Sequence, residues 1–201
     1  MTSALRLAAI SLAMLPLASS VQATVFEFGA TLTGSQEIPP SGSPGIGTTT
    51  IFYDSILQTL TVNVTWSGLL GTTTASHIHC CTALPGVGNA GVATTTPYFA
   101  GFPIGVTSGT FNIALDLTAS SSYNPAFITA NGGTVASAEP VLTAGLLAGD
   151  AYLNIHSTVD PTGEIRGYLK RVPEPATLAL FGFGVLGLGF MTRRRALVTQ
   201  Q

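Results

Sequence analysis

The chain of 201 residues predicts an all-β domain, an antiparallel β-sandwich or Greek-key barrel with one or two short helices, set between an N-terminal signal peptide and a C-terminal transmembrane helix. Three observations predict the β domain. Leu60-Thr61-Val62-Asn63-Val64-Thr65-Trp66 alternates apolar and polar residues without a break, the period of a strand with one face buried. Gly and Pro clusters interrupt such runs: Pro39-Pro40 with Gly42 and Gly45, Pro85-Gly86, and Asp160-Pro161-Thr162-Gly163. Only 8% of the residues are charged, and Thr, Ser and Gly are abundant, a balance that suits a secreted β-protein better than a cytosolic enzyme.

Each element follows from the same period. Phe26, Phe28, Ala30 and Leu32 take alternate positions in Val25–Leu32, as do Thr49, Ile51 and Tyr53 in Gly47–Tyr53. Thr110–Leu117 places Phe111, Ile113, Leu115 and Leu117 on one side. Ala151–His156 and Glu164–Leu169 read as two further strands, and Asp160-Pro161-Thr162-Gly163 has the residues of a type I turn that joins them as a hairpin. Tyr123–Ala130 and Ser137–Ala148 depart from the period and predict short helices, with Pro140 in a first helical turn.

The two ends carry targeting segments. Arg6 precedes an apolar stretch, Leu7–Ala18, and Val21-Gln22-Ala23 has small residues at the positions of a cleavage site, so residues 1–23 read as a secretory signal peptide. At the other end Val172-Pro173-Glu174-Pro175 is followed by an uncharged span, Ala176–Met191, and by Arg193-Arg194-Arg195. As a helix that span is roughly 24 Å long, just under a bilayer core, and the arginines extend it by snorkelling on the cytoplasmic side. Its glycines between Gly182 and Gly189 disfavour a helix in water, which again points to lipid. Residues 24–171 remain as a single domain.

Pro173, Glu174 and Pro175, the apolar span and the arginine cluster together resemble the PEP-CTERM sorting signal of Gram-negative bacteria, over residues 172–201. The resemblance implies an exosortase-type processing enzyme as partner and cleavage at or near Pro173–Pro175. It also implies passage through an inner-membrane intermediate, then delivery to the cell surface or an extracellular exopolysaccharide matrix.

Within the domain four segments, in order, resemble the CHRD (chordin-type) domain: Leu32-Thr33-Gly34-Ser35-Gln36-Glu37-Ile38-Pro39-Pro40, Ala75-Ser76-His77-Ile78-His79, Ala151-Tyr152-Leu153-Asn154-Ile155-His156 and Gly163-Glu164-Ile165-Arg166-Gly167. The resemblance spans about Phe26 to Leu169 and implies a β-rich extracellular domain. Cys80-Cys81 departs from the family pattern, which continues there with a Gly-containing loop.

The candidate chemistry lies in three histidines, all that the chain has. His77 and His79 share one face of a strand, while Tyr152, Asn154 and His156 share a face of another. If the two strands adjoin, the imidazoles meet. They then serve either as a structural network bonded to Asn154, Glu164 and backbone groups, or as ligands to Zn or Cu with an open fourth position. Three histidines are too few for a copper–zinc dismutase. Cys80 and Cys81, oxidised after export, either pair with each other in an eight-membered ring or pair between chains, and Cys81 falls on the histidine face if the strand continues. Glu164 and Arg166 read as an ion pair at a strand end.

The domain holds eight acidic and three basic residues, a net charge near −5, with no basic patch to bind nucleic acid. No Gly-x-Ser-x-Gly elbow, Cys-x-x-Cys pair or phosphate-cradling loop is present. The expected function is that of an exported structural or binding module, not an enzyme, without a cofactor, and with exopolysaccharide or other surface proteins as partners. The alternative is an extracellular metalloprotein, catalytic or not, built on the three histidines.

Overall fold

The structure is a computed structural model that describes residues 24–173. The signal peptide, Glu174, Pro175, the C-terminal apolar span and Arg193–Arg195 lie outside the described residues. Among the described residues no helix is long and apolar enough to cross a membrane.

The chain runs through β1 (Val25–Thr33), β2 (Ile46–Asp54), β3 (Thr59–Ser67), β4 (Thr73–His79), β5 (Gly109–Asp116), α1 (Pro125–Ala130), α2 (Val135–Ala148), β6 (Tyr152–Ser157), β7 (Ile165–Tyr168) and β8 (Lys170–Arg171). The strands form one curled antiparallel sheet in the order β4-β6-β7-β1-β2-β3-β5, with β8 also paired to β1. The two outer strands are drawn together at one end. Thr73 N–H, at the start of β4, donates to Val106 O (2.8 Å), and Gly105 N–H, shortly before β5, donates to Thr73 O (2.8 Å). A single sheet curling toward closure therefore takes the place of two stacked sheets, and it buries the alternating apolar residues on its concave side. Phe28, Leu32, Ile51, Leu60 and Val62 are fully buried there.

The predicted hairpin is present. Gly163 N–H donates to Asp160 O (3.0 Å), which closes the turn, and Ile155 pairs with Ile165 beyond it. Gly163 has φ +137°, and a Cβ there would meet the side chains of Asn154 and Glu37, so this turn requires glycine twice over.

Both helices are capped at their starts. The Asn124 side chain accepts from Ala126 N–H in α1, and Thr134 with Ser137 makes a reciprocal capping box in α2. This box starts α2 at Val135, a turn before Pro140, so Pro140 sits inside the helix and not in its first turn. The missing N–H leaves the carbonyl of Ala136 unpaired within the helix, and Ala136 and Pro140 are both on the exposed side. Ala138, Leu142 and Leu146, four apart, form the buried stripe of α2 against the sheet.

Two of the outward faces of the sheet differ in kind. Across β1, β2, β3 and β5 the register aligns Thr31, Thr48, Thr65 and Thr110 in one exposed row. Gly29, Thr50, Asn63 and Asn112 form the next row. Thr48 and Thr65 share a hydroxyl hydrogen bond (2.9 Å), and Asn112 donates to Asn63. On β4, β6 and β7, by contrast, the outward residues are covered by loops and buried.

Cys80 and Cys81 follow β4 directly and are bonded to each other. Gly145 of α2 packs against both sulfurs, with no room for a Cβ. Gly145→Ala is expected to lower stability by roughly 1–3 kcal/mol through overpacking. In a Cys80→Ala/Cys81→Ala background the same change costs less, because the obstructing sulfurs are gone. Chemical denaturation of the four variants measures this coupling.

Candidate functional site

The three histidines meet on the covered face of β4 and β6. β4 and β6 pair with His77 opposite Asn154, His79 opposite Tyr152 and Ala75 opposite His156. Ile78, Leu153 and Ile155 consequently point into the core, while the polar residues face the covering loops. One ring nitrogen from each of His77, His79 and His156 lies within 4.8 Å of the others.

Backbone carbonyls fix the orientation of every ring. His156 Nδ1 faces Pro161 O (2.9 Å), in the hairpin turn, and His79 Nδ1 faces Ala90 O (2.9 Å). His77 Nε2 makes a short contact with Pro97 O. A carbonyl oxygen only accepts, so each of these nitrogens carries the proton in the neutral ring. The remaining nitrogens, His77 Nδ1, His79 Nε2 and His156 Nε2, are therefore lone pairs. Two of them, His77 Nδ1 and His156 Nε2, stand 3.3 Å apart, and His79 Nε2 is buried without a partner.

Burial holds these rings neutral. It pushes His77 and His79 down to about 4, against the opposing pull of the Pro97 and Ala90 carbonyls, and it lowers His156 as well. A neutral imidazole with its second nitrogen bonded to a carbonyl is the form that serves as a metal ligand.

The neighbours are not those the sequence suggested. Asn154 donates to Glu37 Oε1 (3.1 Å), not to a histidine. Glu164 turns the other way. Its carboxylate accepts from Ser43 Oγ (2.6 Å), Leu70 N–H (2.5 Å) and Gly71 N–H (3.1 Å). Burial raises the Glu164 pKa, yet hydrogen bonds from Ser157, Ser43 and the two amides outweigh it and leave the group below its usual range. Arg166 pairs instead with Glu37, Nε to Oε2 at 3.7 Å. Nor does Cys81 join the histidine face. β4 ends at His79, Cys80 turns into the core and Cys81 lies against Val141 of α2.

Arg166 is the centre of this second layer. Only 1% exposed, its guanidinium lies 4.7 Å from the centre of the Tyr152 ring and 5.3 Å from that of Tyr168. It donates to Gln36 O and to Asn89 Oδ1 (2.6 Å). The Tyr152 ring stacks in turn on His79, with centroids 4.7 Å apart. Sequence reasoning missed Asn89 and the carbonyls of Ala90, Pro97 and Pro161. Only Asn89 has a side chain that could have signalled a role.

A family model for the CHRD domain matches residues 28–169. The chain belongs to the CHRD-domain family. A second model, the PEP-CTERM protein-sorting motif, matches residues 171–195. This motif marks the chain for exosortase processing and for export through the membrane to the cell surface. No curated protein and no solved structure matched the chain. Three of the four sequence segments that resemble the family, those around Glu37, His77–His79 and Asn154–His156, supply the two polar layers, and the fourth contributes Arg166.

The buried groups set a pH dependence with two signs. His77 and His79 bind protons in the unfolded chain near 6.5 but resist them to about 4 when folded, so their contribution to stability is lost as pH falls from about 6.5 to 4. Glu37, pushed up to about 7 mainly by burial, acts oppositely. In the folded chain it keeps its proton up to about pH 7, and its contribution is lost as pH rises from about 4.5 to 7. With more than one imidazole against one carboxyl, the unfolding free energy in EDTA is expected to fall between pH 6.5 and 4, by up to about 3 kcal/mol for each of His77 and His79. Glu37→Gln should steepen that fall, and His79→Gln should flatten it.

Proposed function

We propose that this CHRD-domain protein is a non-enzymatic binding module displayed at the cell surface and in the extracellular matrix, where its open sheet face engages exopolysaccharide. The observation that carries the reading is the exposed Thr31-Thr48-Thr65-Thr110 row beside Asn63 and Asn112. These two rows hold hydroxyls, amides and methyl groups without a charge, a match for a hydroxyl-rich polymer that both donates and accepts. Threonines in a sheet have few rotamers to lose, so ordering them on a ligand costs little. The route to the surface supports the reading. β8 pairs with β1 at Phe28–Gly29, and the sorting motif begins within it, so the domain ends where the sorting segment starts.

Two measurements test these claims. Protein recovered outside a host with a working exosortase should have an intact mass lacking Arg193–Arg195; a mass that retains them contradicts the processing step. In a sedimentation assay with the host's extracellular polysaccharide, Thr48→Lys/Thr65→Glu, which replaces the hydroxyl pair by opposite charges and so avoids like-charge repulsion across the strands, should weaken retention about tenfold while the chain stays folded, the equivalent of about 1.4 kcal/mol. Equal retention of this folded variant would remove the threonine face from consideration.

A further inference from the structure

We propose that His77, His79 and His156 bind one borderline transition-metal ion, zinc or copper(II), through His77 Nδ1, His79 Nε2 and His156 Nε2. The site lies on the covered face of the sheet and is independent of the polysaccharide face.

The carbonyl acceptors carry the first part of the argument. Pro97 O, Ala90 O and Pro161 O each take the one proton of a neutral ring, leaving one lone pair on each of three rings whose nitrogens come within 4.8 Å of one another. Such an arrangement is unfavourable by itself, because buried acceptors without donors forfeit the hydrogen bonds that water gave them. A cation at the centre reverses the sign.

The spacing suits a metal. Zn–N bonds near 2.0–2.1 Å at tetrahedral angles separate their nitrogens by about 3.3–3.4 Å. The observed His77 Nδ1 to His156 Nε2 distance is 3.3 Å. A nitrogen of His79 belongs to the 4.8 Å group, so the third ring needs a shift of roughly 1.5 Å, or a rotation that presents Nε2, to complete the set. A proton shared between His77 and His156 would also account for their separation. It leaves His79 Nε2 buried and unpartnered, however, which the metal does not.

The donors select the ion. Three imidazoles suit zinc or copper, whereas calcium and magnesium take oxygen ligands. The two sulfurs are consumed in their own disulfide, so no thiolate biases the site toward softer ions. The carbonyls behind the rings are the outer partners that orient metal-bound histidines. The charge facing the site is that of Arg166, which disfavours positive charge on His79 and whose Nε lies 3.7 Å from Glu37 Oε2.

The full chain, stripped with EDTA, dialysed against Zn(II) or Cu(II) and then against metal-free buffer, is expected to retain about one ion per chain by elemental analysis and to gain thermal stability. His79→Gln and His156→Gln, each with the unfolding midpoint of the stripped parent, should retain less than a tenth as much. Electron paramagnetic resonance of the Cu(II)-loaded parent should show three imidazole nitrogens, a readout that stands even if a variant fails to fold. Retention below about a tenth of an ion for both metals by the folded parent would overturn the proposal and leave the shared proton. So would two or fewer imidazole nitrogens, or a folded glutamine variant that loads like the parent.

Discussion

A guanidinium buried at Arg166 must be surrounded on every side, and the groups that surround it place most of the covering loops. Its Nε reaches Gln36 O in the β1–β2 connection, its Nη1 reaches Asn89 in the loop after β4, and two tyrosine rings stand at its faces. Asn89 passes the constraint on by donating to Ile38 O (3.1 Å). Tyr168 Oη donates to Gly88 O (2.7 Å), and Tyr152 Oη meets both Ala90 O and Ala90 N–H at 3.2 Å. Residues 88–90 are thus held at three successive positions by side chains from β6 and β7 or by Arg166. An isolated charge would not survive such burial, whereas a charge that is paired, hydrogen-bonded and enclosed by aromatic faces does.

The consequence reaches the histidines through one atom. Ala90 O receives both the Tyr152 hydroxyl and the His79 Nδ1 proton, so the loop that encloses Arg166 also sets the tautomer of His79. Pro161 O does the same for His156 from the hairpin turn, whose tight Gly163 brings the turn against Asn154 and Glu37. The ring positions come from the pairing of β4 with β6, and the direction of each lone pair comes from loops. A strand pair alone would bring the imidazoles together without deciding which nitrogens face inward.

That division explains what could be read in the sequence. The period of two in Leu60–Trp66 or Thr110–Leu117 specifies strands because every second side chain must enter the core, and those segments became β3 and β5 within a residue at either end. The turn at Asp160–Gly163 was legible because Asp, Pro and Gly each occupy the position of a type I turn that favours them. The convergence of His77 and His79 with His156 followed from strand parity once β4 and β6 lay side by side. What the sequence withheld belongs to the main chain or to long-range choice. The carbonyls of Ala90, Pro97 and Pro161 have no residue signature. Glu164 and Arg166 are two apart across the start of β7, yet Glu164 meets the amides of Leu70 and Gly71 while Arg166 meets Glu37, far away in the chain. The start of α2 was misread because Pro140 is itself a strong start signal, and the Thr134–Ser137 box, which overrides it, uses Ser where Glu or Gln is the familiar partner.

One sheet therefore carries two outer faces with opposite treatment of polar groups. On β1, β2, β3 and β5 the threonines and asparagines remain in solvent, where their hydrogen bonds can be exchanged for those of a ligand at little net cost. On β4, β6 and β7 the polar groups are enclosed, and each one left without a partner carries a full desolvation penalty. Folding tolerates substitution on the first face as long as the strands stay paired. The second face is different, because removing one carbonyl, ring or charge exposes the others to the same penalty. The buried lone pair of His79 Nε2 carries that penalty, as do Asn154 Oδ1 and Arg166 Nη2 on the same face, whereas an apolar side chain stacked on Tyr152 would fill the space of the imidazole without it.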